Sequence, residues 1–325
     1  MGSLAVNRPV KGKSAIVTGA GSGINFEFAK ILLNNGCNVL IGDVTLRPEA
    51  QKLVDSYSNT TDGPKAIYQK TDVSSWKDLH ALFRTAEDQF GTYDIVCPGA
   101  GIFEPPSSGF WHPPGSEKSK DDPFGDRYKS IDIDLVHPIR ATQLAMSHFM
   151  SSDPPAGPDN MKIVVHISSI ASEMVFAPVP LYVSSKWGLR GFIYTMGELE
   201  ETRHIRVAGV APAIVRTPLW LESEKRNMIL MEDGTVQSEW VTPVEVAEVM
   251  YNICVADEMT NSRGEAVSLK GGSLVEVVQS DVRDVPVYGN QPPGTGGDTR
   301  GLMMANVTQA WKDMNDAVGP NWGRV

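Results

Sequence analysis

Apolar residues along the chain fall into short β-rich runs that alternate with longer stretches at helical spacing. The runs at 14–18, 37–43, 65–71, 93–97, 162–168, 205–211 and 265–269 predict seven strands. Between them the spacing predicts helices over 24–35, 76–90, 126–150, 181–203 and 243–255. Strands alternating with helices mean βαβ units, and runs this apolar mean strands covered on both faces. The expected fold is α/β, a doubly wound seven-stranded parallel sheet with helices on both faces. One continuous alternation, without an internal repeat, predicts a single domain over 1–279.

Three segments break the rhythm. Residues 103–125 carry five prolines between a strand and a helix. Residues 213–241 mix Trp220, Leu221, Met228, Leu230 and Met231 with charges, which reads either as an apolar lid or as a helix packed on the core. Both follow the carboxyl end of a strand, where open α/β sheets bind ligands. Phe103, Phe110 and Trp111 in the first segment are expected to face Trp220 in the second across a bulky, mostly apolar substrate. The third segment is the tail, 280–325. It is rich in Gly and Pro, then carries Leu302, Met303, Val307, Ala310, Trp311 and Met314 at spacings of three and four. Such a stripe predicts an extension packed on its own or a partner subunit.

Charge narrows the partners. A net charge of −10 with no basic run argues against nucleic acid. No apolar run has membrane-spanning length, and the first residues lack the apolar core of a signal peptide, so a cytoplasmic protein acting on a small molecule is expected. Cys37, Cys97 and Cys254 have no metal-ligand spacing and read as buried free thiols, with no metal site.

The chemistry begins at the first strand-to-helix turn, Thr18-Gly19-Ala20-Gly21-Ser22-Gly23-Ile24-Asn25. A Gly-rich turn of this Rossmann type brings backbone close to a pyrophosphate, and the helix start offers unpaired N–H groups. The second strand ends in Asp43, whose carboxylate can bond the adenosine ribose and would repel a 2′-phosphate. Arg47 is the nearest cation. NAD is therefore expected over NADP.

In order along the chain these motifs resemble the short-chain dehydrogenase/reductase family over roughly residues 11–272, and within it the members similar to hydroxyprostaglandin dehydrogenase. Thr18 to Ile24 matches its Gly-rich turn; Ser169, with Tyr182 and Lys186, matches its catalytic Ser and Tyr-x-x-x-Lys. The resemblance implies that Asp72 and Val73 bracket the adenine. It implies that Pro98, Gly99 and Ala100 flank the cofactor, and that Pro212, Ile214, Val215 and Thr217 hold the nicotinamide amide. It also implies a homodimer or homotetramer through the helices at 126–150 and 181–203. Four positions depart from the family pattern: Asn25, Pro98, Ala213 and Asp134, where the family's catalytic group has Asn. Pro138 has no N–H to return to the carbonyl of Asp134, so that carbonyl is expected to be free to hold a relay water.

Tyr182 and Lys186, four apart on a helix, share a face. A tyrosine titrates near ~10, and a neighbouring ammonium is expected to lower that value. Tyr182 then exchanges a proton with the reacting oxygen, which Ser169 also bonds, while hydride moves to or from the nicotinamide. The resemblance adds a bond from Lys186 to the nicotinamide ribose. The expected function is interconversion of a secondary alcohol and a ketone. Two other readings stay open. One is a redox-neutral isomerase, cyclase or lyase retaining NAD, which the four departures motivate. The other is a non-catalytic NAD-binding partner or sensor, which the loops and tail motivate.

Overall fold

A computed structural model describes residues 8–58, 63–104, 107–222, 240–287, 312 and 316. Its centre is an eight-stranded sheet in the order β10-β9-β6-β5-β4-β1-β2-β3. The parallel strands are β1 (Ser14–Thr18), β2 (Asn38–Asp43), β3 (Ala66–Lys70), β4 (Ile95–Pro98), β5 (Lys162–Ile167), β6 (Ile205–Pro212) and β9 (Leu274–Val278), and β10 (Asp281–Asp284) closes one edge antiparallel. Strand order reverses between β1 and β4, which opens a crevice at their carboxyl ends.

The last predicted strand is corrected. Residues 266–268 form β8 (Ala266–Ser268), which pairs with β7 (Glu258–Thr260) in a separate two-stranded ribbon. Each of those strands buries only its middle residue, too little apolar face for a central sheet. The seventh parallel strand follows the turn at Gly271 and Gly272, where Gly272 takes a φ of 79°.

Helices cover both faces. On one lie α1 (Gly23–Asn34), α2 (Pro48–Tyr57) and α9 (Pro243–Val255); on the other lie α3 (Trp76–Phe90), α5 (His137–Ser151) and α6 (Pro180–Thr195). Phe28, Ala29, Leu32 and Leu33 are the buried stripe of α1, at the three-and-four spacing of a helix. Truncating Leu32 to Ala would cost on the order of 2–5 kcal/mol. α9 starts in a capping box, with Thr242 accepting from the Glu245 N–H and Glu245 accepting from that of Thr242. Helix α2 was not expected, although Pro48 at its first turn and the buried Ala50 and Val54 are a helix signature.

Two expected long helices are interrupted. The first begins as α4 (Lys129–Ile131), runs through a π-turn (Asp132–Val136) and continues as α5. The His137 N–H reaches the Asp132 carbonyl, and the wider turn lies where Pro138 lacks a donor. The second is broken after α6 by a 3₁₀ turn (Met196–Glu198) before α7 (Leu199–Arg203). A short helix, α8 (Pro218–Leu221), follows β6.

The tail's first residues belong to the sheet. β10 pairs with β9, and the carbonyls of Val285 and Pro286 accept from Tyr194 Oη and Arg190. The apolar stripe from Leu302 to Met314, with Met228, Leu230 and Met231, lies outside the described residues.

Candidate active site

The carboxyl ends of β1, β2, β4, β5 and β6 open into one cleft of about 610 Å³. Its lining includes the expected catalytic and cofactor residues except Gly21 and Pro98, and of the expected substrate walls Phe103 and Trp220. Pro98 is buried opposite Thr18 in the β1–β4 pairing. Gly21 lies against the β2 end, where its N–H donates to Asp43 Oδ2 at 2.8 Å.

The Gly turn fits a dinucleotide. A Cβ on Gly19 would come within 2.6 Å of Ala100 Cα, and one on Gly21 within 2.2 Å of the Thr45 carbonyl. Gly19 and Gly23 also take positive φ, 73° and 65°. No side chain caps α1, so the N–H groups of its first turn suit a pyrophosphate. Asp43 stands in the cleft with its carboxylate on the turn. Arg47 faces Glu222 at the end of α8, in a bidentate pair. Asp72 is held by Ser74 and its carboxyl lies below the usual range; burial pushes it up, and the Ser74 bonds together with the charges of Lys129 and Arg127 outweigh that.

Asn25 lines the cleft and also bonds the end of β4. Its Nδ2 donates to the Gly99 carbonyl at 2.8 Å, and Cys97 Sγ donates to its Oδ1 at 3.5 Å. A Cβ on Gly99 would fall 2.3 Å from that oxygen. The extra side chain therefore braces the β4 turn, and Gly99 makes room for it.

Across the cleft, Ser169 follows β5 and Tyr182 and Lys186 share one face of α6. Lys186 Nζ donates to the Ile167 carbonyl at 3.1 Å and lies 5.4 Å from the Tyr182 ring centroid. The expected lowering of the Tyr182 phenol is not found. Burial pushes it up, Asp134 adds to the rise, and the bond from Ser169 offsets part of it. Lys186 is pushed down by its own burial, against the pull of Asp134. The surroundings of these side chains favour a neutral phenol, the proton-donating form. Asp134 is buried in the π-turn, and its Oδ1 accepts the Ile102 N–H at 2.9 Å.

His137 and His166 lie wholly buried. Burial lowers them to about 4 and about 3, so both are neutral. His137 Nε2 meets Thr18 Oγ1 at 3.2 Å, and that hydroxyl accepts the Ala100 N–H.

Phe103 packs 4.8 Å from Tyr182 and 4.7 Å from Trp220, centroid to centroid, as an expected substrate wall. Phe110 and Trp111 do not line the cleft; Trp111 instead donates to the Ala177 carbonyl at 2.8 Å. Met174, Phe176, Val179 and Leu219 line it and were not foreseen. The apolar run Met174-Val175-Phe176 after β5 is the signal that would have found two of them. Glu104 was also missed, because a lone Glu in a Pro-rich loop reads as solvated. Among the described residues no group of three His, Cys, Asp or Glu could hold a metal, and no helix is long and apolar enough to cross a membrane.

A family model described as short chain dehydrogenase matches residues 13–227. The chain is 29% identical to 15-hydroxyprostaglandin dehydrogenase [NAD(+)] of Rattus norvegicus over 67% of its own length and 74% of the relative's. It is 28% identical to trans-4-hydroxycyclohexanecarboxylate dehydrogenase of Sinomonas cyclohexanicum, over 66% and 76%. In fold it is similar to 3-ketoacyl-(acyl-carrier-protein) reductase from Brucella melitensis complexed with NADH, with a TM-score of 0.63 and 21% identity, covering 83% of this chain and 98% of that one.

Proposed function

The chain belongs to the short chain dehydrogenase family, and on that premise we propose that it interconverts a bulky, mostly apolar secondary alcohol and its ketone with NAD. The observation that carries this reading is the meeting of Ser169, Tyr182 and Lys186 in one cleft with the Gly turn and Asp43. In the oxidative direction Tyr182 Oη takes the hydroxyl proton while the carbinol C–H leaves as hydride. In the reductive direction Tyr182 returns that proton to the oxygen, and its buried setting suits this role. Ser169 Oγ holds the same oxygen against Tyr182. Lys186 would bond the nicotinamide ribose. When bound, NAD would supply the hydride acceptor, and its positive charge would draw the phenol down. Asp43 would hold the adenosine ribose, Asp72 and Val73 the adenine, and Thr217, with Pro212, Ile214 and Val215, the nicotinamide amide.

The substrate class rests on the walls. Phe103, Met174, Phe176, Val179, Leu219 and Trp220 are apolar or aromatic. The charged lining residues are Asp43, Asp72, Lys129, Asp134 and Lys186, none of them among these walls. A cleft of this kind favours an uncharged carbon frame around the carbinol. The reading includes a dimer or tetramer through α5 and α6, which expose Ile139 and Trp187. Light scattering at micromolar concentration checks it, and a monomer removes it.

The test is absorbance of reduced nicotinamide during incubation with NAD or NADP and a panel of cyclohexanol, decan-2-ol, trans-4-hydroxycyclohexanecarboxylate and a 15-hydroxyprostaglandin. Reduction of NAD, fastest with the bulkier apolar alcohols, is expected. Product without redox change, or faster turnover with NADP, overturns the reading.

A further inference from the structure

Glu104 lies in the loop after β4 and is 1% exposed, yet it is a carboxylate. Burying such a group is costly unless it is hydrogen-bonded, and here both oxygens are. Oε1 accepts the Phe110 N–H at 2.6 Å. Oε2 accepts the N–H groups of Leu181 at 2.7 Å and Tyr182 at 3.0 Å. The second pair is the start of the catalytic helix. The residue before α6, Val179, has no capping side chain, and Pro180 opens the helix without an N–H. The first two donors of α6 are therefore those of Leu181 and Tyr182, and Glu104 takes both from 77 and 78 residues away. Its negative charge also suits the positive end of a helix of 16 residues. The neighbouring Phe103 lies on the Tyr182 and Trp220 rings, so the bonds of Glu104 fix one chain segment that is both substrate wall and helix anchor.

We propose that Glu104 is a positioning residue that sets the height of Tyr182 through Oε2 and the substrate-facing loop through Oε1. The proposal rests on the reading of Tyr182 as the acid/base. It needs two acceptor oxygens. A glutamine offers one, and its NH₂ would face an N–H donor on the other side. That single oxygen satisfies two donors at α6 and only one at Phe110, so it turns to α6.

The test compares Glu104→Gln and Glu104→Ala in the full chain, using the panel alcohol with the highest kcat/KM and NAD. For Glu104→Gln the KM for alcohol rises about tenfold while kcat stays within about threefold, since only the wall loosens. For Glu104→Ala kcat also falls, by about tenfold to a hundredfold, as displacing a catalytic group by an ångström can. NAD affinity stays within about twofold in both, because Glu104 does not line the cleft. Hydrogen exchange gives a readout free of turnover. Amides at 107–112 exchange faster in both variants, and those at 181–184 only in Glu104→Ala. Equal kinetic losses in the two variants, unchanged kinetics in both, or a matching loss of NAD affinity overturns the proposal. If Glu104→Ala does not fold, the KM-against-kcat split and the exchange pattern of Glu104→Gln decide alone. Tyr182→Phe separates the two readings. Retained activity there removes the acid/base assignment, while the exchange pattern still judges Glu104.

Discussion

In the half of the cleft proposed for the cofactor, Gly21 in the turn after β1 bonds Asp43 at the end of β2, across 22 residues of chain. In the substrate half, Glu104 bonds Tyr182 across 78 residues, and Trp111 bonds Ala177 across 66. The first half is built from backbone turns at neighbouring strands, whose shape a few glycines specify. The second is built from side chains of one loop that end on the backbone of another. The cofactor half is thus a property of the sheet, and the substrate half is a property of how loops meet above it. Phe103 makes the point: nothing around it in sequence says that it touches Tyr182 and Trp220, and both contacts exist only because β4, β5 and β6 are neighbours.

The comparison can be broken hardest at Tyr182. Tyr182→Phe should lower kcat by at least about a hundredfold, the usual worth of a positioned acid/base, with NAD affinity nearly unchanged. Steady-state kinetics and cofactor fluorescence titration measure the two. A similar loss in NAD binding would show that the halves are not separable.

Asp43 probes the other half. NAD should bind more tightly than NADP by more than about tenfold, or 1.4 kcal/mol, and Asp43→Ala should narrow that gap while leaving kcat at saturating NAD within about threefold. Titration calorimetry with both cofactors reads it. Tighter NADP binding in the unmutated protein contradicts the assignment.

Asn25 tests the brace within the cofactor half. Asn25→Ala removes the bond to the Gly99 carbonyl and the partner of the Cys97 thiol, and should cost about 1–2 kcal/mol of stability. Weakened NAD binding should accompany it, with the alcohol KM unchanged. Denaturant melts check the first effect.

The smallest effect is expected in the floor that both halves share. His137 and His166 are held neutral by burial, at about 4 and about 3 against 6.5 for an ordinary imidazole. Below pH ~6.5 the unfolded chain binds protons that these two groups refuse, so stability is present above that pH and lost as pH falls toward the folded values. Tm should fall by a few degrees between about pH 7 and about pH 5. His166→Gln should flatten that slope; an unchanged slope would falsify the assignment to this residue.

How legible each part was follows from the range of the interactions. The turn at Gly19–Gly23, Asp43 and the Tyr182–Lys186 pair are short patterns tied to the end of one strand or the face of one helix, and all were readable. Helix α2 was missed, though Pro48, Ala50 and Val54 carried its signal. The seventh parallel strand was misplaced by nine residues, because 265–269 and 274–278 are both short apolar runs and the sheet has room for only one. The bond from Asn25 to the Gly99 carbonyl was not readable, because it depends on the nearness of the turn after β4.

By itself the sequence determined the strand–helix alternation, the doubly wound sheet and the places of the Gly turn, Asp43, Ser169, Tyr182 and Lys186 at its carboxyl edge. Those depend on periodicity and on local backbone freedom, which each segment carries with it. The tertiary structure alone decided the polarity of the edge strand β10, the tilt of the Tyr182 phenol toward its neutral form, and the burial of Glu104 between its own loop and the start of α6. Those depend on desolvation and on hydrogen bonds between segments distant in sequence, and neither exists until the chain has closed on itself.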